Sequence, residues 1–193
     1  MKEQSVDRIK RILRILVFVT CLTFLFSFFL AETSMAKTAK EINSEVNDAL
    51  KLFSKHVKGT KELLSKAKAV LVIPNIVKAG LGVGGEYGEG TLRIGGKTVA
   101  YYSLAAGSVG FQIGAQKTNL VLIFRQDEAL KKFQAGSGWK AGVDGSVAFI
   151  KEGAGASLDT MNVKDPIVAL LFGQQGLMAS ATIEGAKFTK LAR

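Results

Sequence analysis

The stretch GLGVGGEYGEG, Gly80 to Gly90, constrains the fold more than any other part of this chain, because six of its eleven residues are glycine. Glycine-rich loops of this density cradle phosphates in nucleotide-binding enzymes, and they also occur where a strand must be approached closely. A dinucleotide fingerprint needs a strand before the glycines, a helix starting within them and an acid about 20 residues on. Here EYGEGTLRIGGKTVAYY continues as strand and hairpin, with Gly95-Gly96 at the turn. Gly96-Lys97-Thr98 imitates the end of a P-loop, but the glycine spacing before it is wrong and the sequence after it is β. Gly82, Gly84, Gly88 and Gly90 fall on alternate positions, which bares one strand face to a helix or a second sheet layer. A helix bearing Ile42, Val46, Phe53 and Val57 is the expected occupant of that groove.

Residues 1–36 differ in kind from the rest. Arg8, Lys10, Arg11 and Arg14 precede the apolar run Ile15 to Ala31, and Ser34-Met35-Ala36 follows with small residues where a signal peptidase reads. The expectation is a secretory signal peptide over 1–36, with a mature chain from Lys37. The alternative is a retained membrane anchor, since seventeen apolar residues lie at the short end of what spans about 30 Å of hydrocarbon. Cys21, the one cysteine, lies inside the apolar run, so a mature chain from Lys37 has no disulfide, thiolate metal site or cysteine nucleophile.

Removing residues 1–36 takes five of the 26 basic and three of the 16 acidic residues, which leaves 21 against 13 and a net charge of +8. In an exported protein that balance points to anionic lipid headgroups or acidic envelope polymers, and away from nucleic acid.

The rest of the chain reads as one α+β domain over 37–193: N-terminal amphipathic helices packed on a Gly-rich antiparallel β-sheet or partial barrel. Residues 37–68 are helical, with Ala39, Ile42, Val46, Ala49, Leu50, Phe53 and Val57 in one stripe that resumes beyond Gly59 with Leu63, Leu64 and Ala67. Lys51, Lys55 and Lys58 share the opposite face, followed by Lys61, Lys66 and Lys68. Such a face either lies on an anionic membrane or is simply solvated. From residue 69 the chain is mainly β: VLVIP, TVAYYSLAAG, SVGFQIGAQ and NLVLIF, then a short helix near 127–134. The runs WKAGVDGSVAFI, GAGASLDTMNV, IVALLF and LMASATIEGAKFTKL complete it.

Residue patterns for catalysis are sparse. His56 is the sole histidine and sits on the helix between Lys55 and Val57; there is no HExxH, no GxSxG and no metal-spaced cluster. Glu86, Glu89, Asp127, Asp144, Asp159 and Glu184 are scattered, and only a carboxylate pair for glycosidic chemistry escapes exclusion by spacing. The expectation is a non-enzyme with no cofactor and no metal.

The order AKAVLVIPNIVKAGLGVGGEYGEG, NLVLIF with its short helix, GSGWKAGVDGSVAFI and QGLMASATIEGAKF resembles the SYLF-domain family in its bacterial exported form. In that family eukaryotic members bind phosphoinositides and some bind actin, so the resemblance implies lipid binding, generalised in a bacterial envelope to anionic phospholipid. On that reading Lys51, Lys55, Lys58 and Lys61 face the headgroups, and Lys68 and Lys78, flanking VLVIP, contact them from the core. The other reading is a structural or protein-interaction module of the envelope, periplasmic or peripheral on the membrane, that meets another envelope protein.

Overall fold

A computed structural model of the chain describes residues 37–57, 59–136, 138–151, 165–175, 183 and 185–193. The expected signal segment, Lys58, the strand GAGASLDTMNV, Asp159, Glu184 and the start of LMASATIEGAKFTKL lie outside the described residues. Lys37–Arg193 form one compact unit.

Helix α1, Ala39–His56, begins where the sequence caps it: the Glu41 N–H donates to Thr38 Oγ1 at 3.3 Å, and the Thr38 N–H donates back to Glu41 Oε2 at 2.8 Å. Its stripe Ile42, Val46, Ala49 and Phe53 is buried. Gly59, at φ 79°, turns the chain in a conformation that other residues enter at a cost, and the short α2, Thr60–Ser65, follows. Of the expected helical layer only α1 covers the sheet with a full apolar stripe. In α2 Thr60 alone is buried, so the sheet dominates the domain.

Six described strands form one sheet: β1 (Ala69–Ile94), β2 (Lys97–Phe124), β3 (Trp139–Lys140), β4 (Val147–Lys151), β5 (Ile167–Gln175) and β6 (Lys187–Leu191). Helix α3, Asp127–Ala135, stands after β2, one residue longer than the expected helix near 127–134. The order is β3-β6-β2-β5-β4, with β1 on β2. The sheet is mixed and not antiparallel throughout, because β4 runs parallel to β5, Val147 opposite Ile167 and Lys151 opposite Leu171. The short runs expected as separate strands are fused into β1 and β2, whose glycines bend the strands without ending them. Register shifts fall between Ile73 and Ile76, Leu81 and Val83, and Leu92 and Arg93. Pro74, which has no N–H to give a ladder, sits in the first of these, where Asn75 takes φ 50° and its N–H donates to Asn119 Oδ1 at 3.0 Å. The β1–β2 turn is Gly95-Gly96, both at positive φ, as a two-residue hairpin requires.

The long hairpin is folded over. Lys78 Nζ lies 2.6 Å from Glu86 Oε1, whereas eight residues of straight strand span about 26 Å. A Cβ on Gly90 would lie 1.8 Å from the Val72 carbonyl oxygen, and one on Gly88 would lie 2.7 Å from Ile73 Cγ2. The alternate glycines therefore admit a second layer as their spacing implies, but for Gly88 and Gly90 that layer is the first half of β1 itself. At Gly88 and Gly90 the expectation that helix α1 fills the glycine groove is therefore corrected.

Strand alternation divides the core in two. Leu71, Ile73, Leu120, Leu122, Phe124, Ala169 and Leu171 face the concave side with Phe133 of α3, Trp139 and Phe188. Val72, Val121, Ile123, Val168, Leu170 and Phe172 face α1, where the Phe53 and Phe172 rings meet at 5.0 Å. Burial on both faces explains why VLVIP, NLVLIF and IVALLF read as continuous apolar runs. Each large side chain so buried contributes about 2 kcal/mol.

Candidate functional site

Burying the α1 stripe commits the opposite face to solvent. Lys51 and Lys55 are exposed there, and Lys61 is exposed at the start of α2. Lys51 Nζ is 3.0 Å from Asp48, an exposed i,i+3 pair of small energetic value. Among the described residues no carboxylate lies within ion-pair distance of Lys55 or Lys61. Lys40 is also exposed, eleven residues or about three turns before Lys51 on the same side. Its part in the face was readable from helical spacing, had the lysines been counted from the start of the helix.

The other expected lysines do not join this face as open cations. Lys66 pairs with Glu62 at 2.8 Å. Lys68 is half-exposed, and its ammonium sits 3.2 Å from Asp127 at the start of α3, tying the entry of β1 to that helix. Lys78 is 6% exposed and bound to Glu86 across the fold of β1. The bulge at Pro74-Asn75 sets the inward alternation that buries both Ile76 and Lys78 and leaves Val77 outside. A buried ammonium held by a buried carboxylate is not the headgroup contact expected of Lys78.

Among the described residues, the carboxylates of the glycine-rich stretch and of the turn after Trp139 are engaged. Glu89 is buried and accepts hydrogen bonds from Arg193 Nη2 at 3.2 and 3.3 Å and from the Tyr87 hydroxyl at 2.6 Å. Partial burial, and then the hydrogen bond and charge of Glu89, push the Tyr87 phenol up to about 12. Glu86 and Glu89 are each matched to a cation, so they do not form an open acid–base pair. Asp144 accepts the Lys140 N–H at 2.6 Å inside a turn. No group of three His, Cys, Asp or Glu among the described residues is placed to hold a metal ion. None of the described helices is long and apolar enough to cross a membrane.

Arg93, near the end of β1, escaped the sequence reading. Its Nη2 donates to Asn47 Oδ1 of α1 at 2.9 Å and its Nε to Thr91 Oγ1 at 3.3 Å. Beside it Thr98 Oγ1 donates to Asn43 Oδ1 at 2.8 Å, and Asn43 Nδ2 donates to the Tyr101 hydroxyl at 2.7 Å. These polar contacts fasten the hairpin end to the helix that carries the basic face.

Residues 105–192 match the family model Ysc84, described as Las17-binding protein actin regulator, which agrees with the SYLF-domain resemblance of the sequence. The match spans the later part of β2, α3 and β3 to β6, and leaves out α1 and β1. No curated protein matches the chain.

Proposed function

We propose that this SYLF-like chain is a non-catalytic, exported module that docks on anionic phospholipid surfaces through the outward face of α1 and α2. The observation that carries the reading is the direction of the helix: its apolar stripe is spent on the sheet, and Lys40, Lys51 and Lys55 stand exposed on the far side, with Lys61 exposed on α2. An interfacial helix that floats on a membrane inserts its apolar face. Here that face is already buried, so the attachment is peripheral and electrostatic, with about 1 kcal/mol of attraction from each lysine near the surface. Its location is the envelope, reached through the signal-like segment before Lys37.

A second reading, a protein-binding module, draws on the family description, which names a protein partner and actin regulation. The matched segment is sheet and α3, which meets the apolar side of α1 and not its exposed lysines, so the two surfaces are separable by experiment. Co-sedimentation of Lys37–Arg193 with phosphatidylglycerol vesicles, against phosphatidylcholine vesicles and at low and high salt, tests the membrane reading. Binding confined to the anionic vesicles and lost at high salt supports it, because exposed charges are screened beyond about 8 Å at physiological ionic strength. Failure to bind anionic vesicles leaves the protein-interaction reading in its place.

A further inference from the structure

A groove of about 350 Å³ runs between α1, α2 and the β1–β2 turn. Leu50, Leu64, Ala67 and Val70 line it, and Arg93 and the Gly95-Gly96 turn complete the wall. Pockets for small ligands run from about 300 to 1,000 Å³ and combine mostly apolar walls with a few placed polar groups. This one has the composition of such a pocket at the small end of the range, which suits one alkyl chain and not two.

The polar group in it is specific. Arg93 is partly buried, and desolvation lowers its pKa, with Tyr101 opposing; an arginine stays charged nonetheless. Its hydrogen-bond partners, Asn47 and Thr91, are both neutral. No carboxylate of the described residues lies within ion-pair distance of it, whereas Arg193 is matched to Glu89. A guanidinium has five N–H donors in a planar fork, and two are engaged here. A cation drawn out of water without a counter-charge favours an anion, and the fork fits a carboxylate through two parallel hydrogen bonds.

We propose that this groove binds a single-chain fatty acid, its alkyl chain along Leu50, Leu64, Ala67 and Val70 and its carboxylate on Arg93. The inference rests on the membrane reading only for the class of ligand, an anionic lipid. The groove and the lysine face are different surfaces and fail independently. The turn contributes to the same end: with glycine at both 95 and 96 no side chain closes the groove from that side, and a Cβ at either position would meet nothing within 4 Å.

The test is isothermal titration calorimetry of Lys37–Arg193, which carries both halves of the core, with dodecanoate kept below its micelle concentration. One saturable site per chain is expected, with no heat from acetate and weak binding of the neutral amphiphile dodecyl maltoside. Arg93→Gln retains a hydrogen-bonding side chain toward Asn47 and should weaken dodecanoate binding about tenfold or more, since a hydrogen bond to a charged group is lost. Leu64→Trp, which fills the groove and keeps the arginine, should abolish the site. A thermal melt of each variant separates loss of the site from loss of the fold, and methyl chemical-shift changes of Leu50 and Leu64 on adding dodecanoate to the wild type report the site without any substitution. Absence of saturable binding, binding indifferent to both substitutions in folded variants, or unmoved Leu50 and Leu64 methyls overturns the proposal. If wild type ignores dodecanoate but still binds phosphatidylglycerol vesicles, the groove inference falls and the membrane reading stands; the reverse pair of results retains the groove and removes the lysine face.

Discussion

Replacing Gly90 by alanine tests whether β1 folds back on itself. The added Cβ would sit 1.8 Å from the Val72 carbonyl oxygen, 2.7 Å from its carbonyl carbon and 2.8 Å from Ile73 Cα. Real Cβ contacts essentially never fall below 3.0 Å, so the two passes of β1 must separate by about 1.2 Å. All three obstructing atoms are main chain, and Val72 is paired to Val121 of β2, so no side-chain rotation relieves the clash. Overpacking of this kind costs about 1–3 kcal/mol, and the rigid obstruction puts Gly90→Ala at the upper end. Alanine restricts the unfolded chain and returns about 0.4–1 kcal/mol, leaving a net loss of about 2 kcal/mol. For a domain of this size that lowers Tm by about 4–8 °C. Gly85→Ala is the control: it lies on the same strand, its φ is not positive, and the nearest atom to its Cβ, Ala106 O, is at 3.7 Å. It should be neutral or slightly stabilising. Urea unfolding followed by far-UV circular dichroism measures both. Equal midpoints for the two variants would refute the doubling-back of β1.

Three further outcomes follow from the same packing. Lys78→Met strands Glu86 as a buried, unpaired carboxylate and should cost about 3–5 kcal/mol in urea unfolding, while Lys78→Met/Glu86→Leu should recover most of that loss. Phe133→Ala removes the ring that meets Tyr102, Phe124, Trp139 and Phe188 at 4.8 to 6.0 Å, for a loss of about 3–5 kcal/mol, and the emission of Trp139, the one tryptophan, should shift to the red. The Tyr87 phenol titrates near 12 in the folded protein against 10.0 ordinarily, so the stability it adds is complete below 10.0 and is lost as pH rises through about 12. Ultraviolet titration should show Tyr87 ionising late, as burial also makes Tyr102 do, and Glu89→Gln should bring Tyr87 alone down.

How much of this was legible in the sequence depends on the scale of the contact. Helix α1 was readable because Ile42, Val46, Ala49 and Phe53 repeat at helical period and Thr38 and Glu41 cap them locally. The Gly95-Gly96 turn and the helix after Phe124 were readable for the same reason: they are decided within a few residues. Alternate glycines announced a close approach, but nothing local says which layer approaches, and for Gly88 and Gly90 it is the same strand some fifteen residues earlier. Lys78 looked like a surface cation until the bulge at Pro74-Asn75 set its side chain inward toward Glu86. Lys68 looked free because Asp127, its partner, is brought to it only by the pairing of β1 with β2. The parallel β4–β5 pair is a property of connection and not of composition, and Arg93 acquires its setting only when the hairpin end meets α1.

The claim that the outward face of α1 and α2 holds the protein on an anionic surface meets its most direct test in one number, the ratio of vesicle partition coefficients for wild type and Lys51→Gln/Lys55→Gln/Lys61→Gln. Each lysine near the surface contributes about 1 kcal/mol, somewhat less for Lys51, whose ammonium is shared with Asp48. The sum corresponds to a loss of about one and a half to two orders of magnitude on phosphatidylglycerol vesicles. All three side chains are exposed, so Tm should stay where it is. A fall of that size at unchanged Tm is the predicted result; equal partitioning of the two proteins would contradict the account.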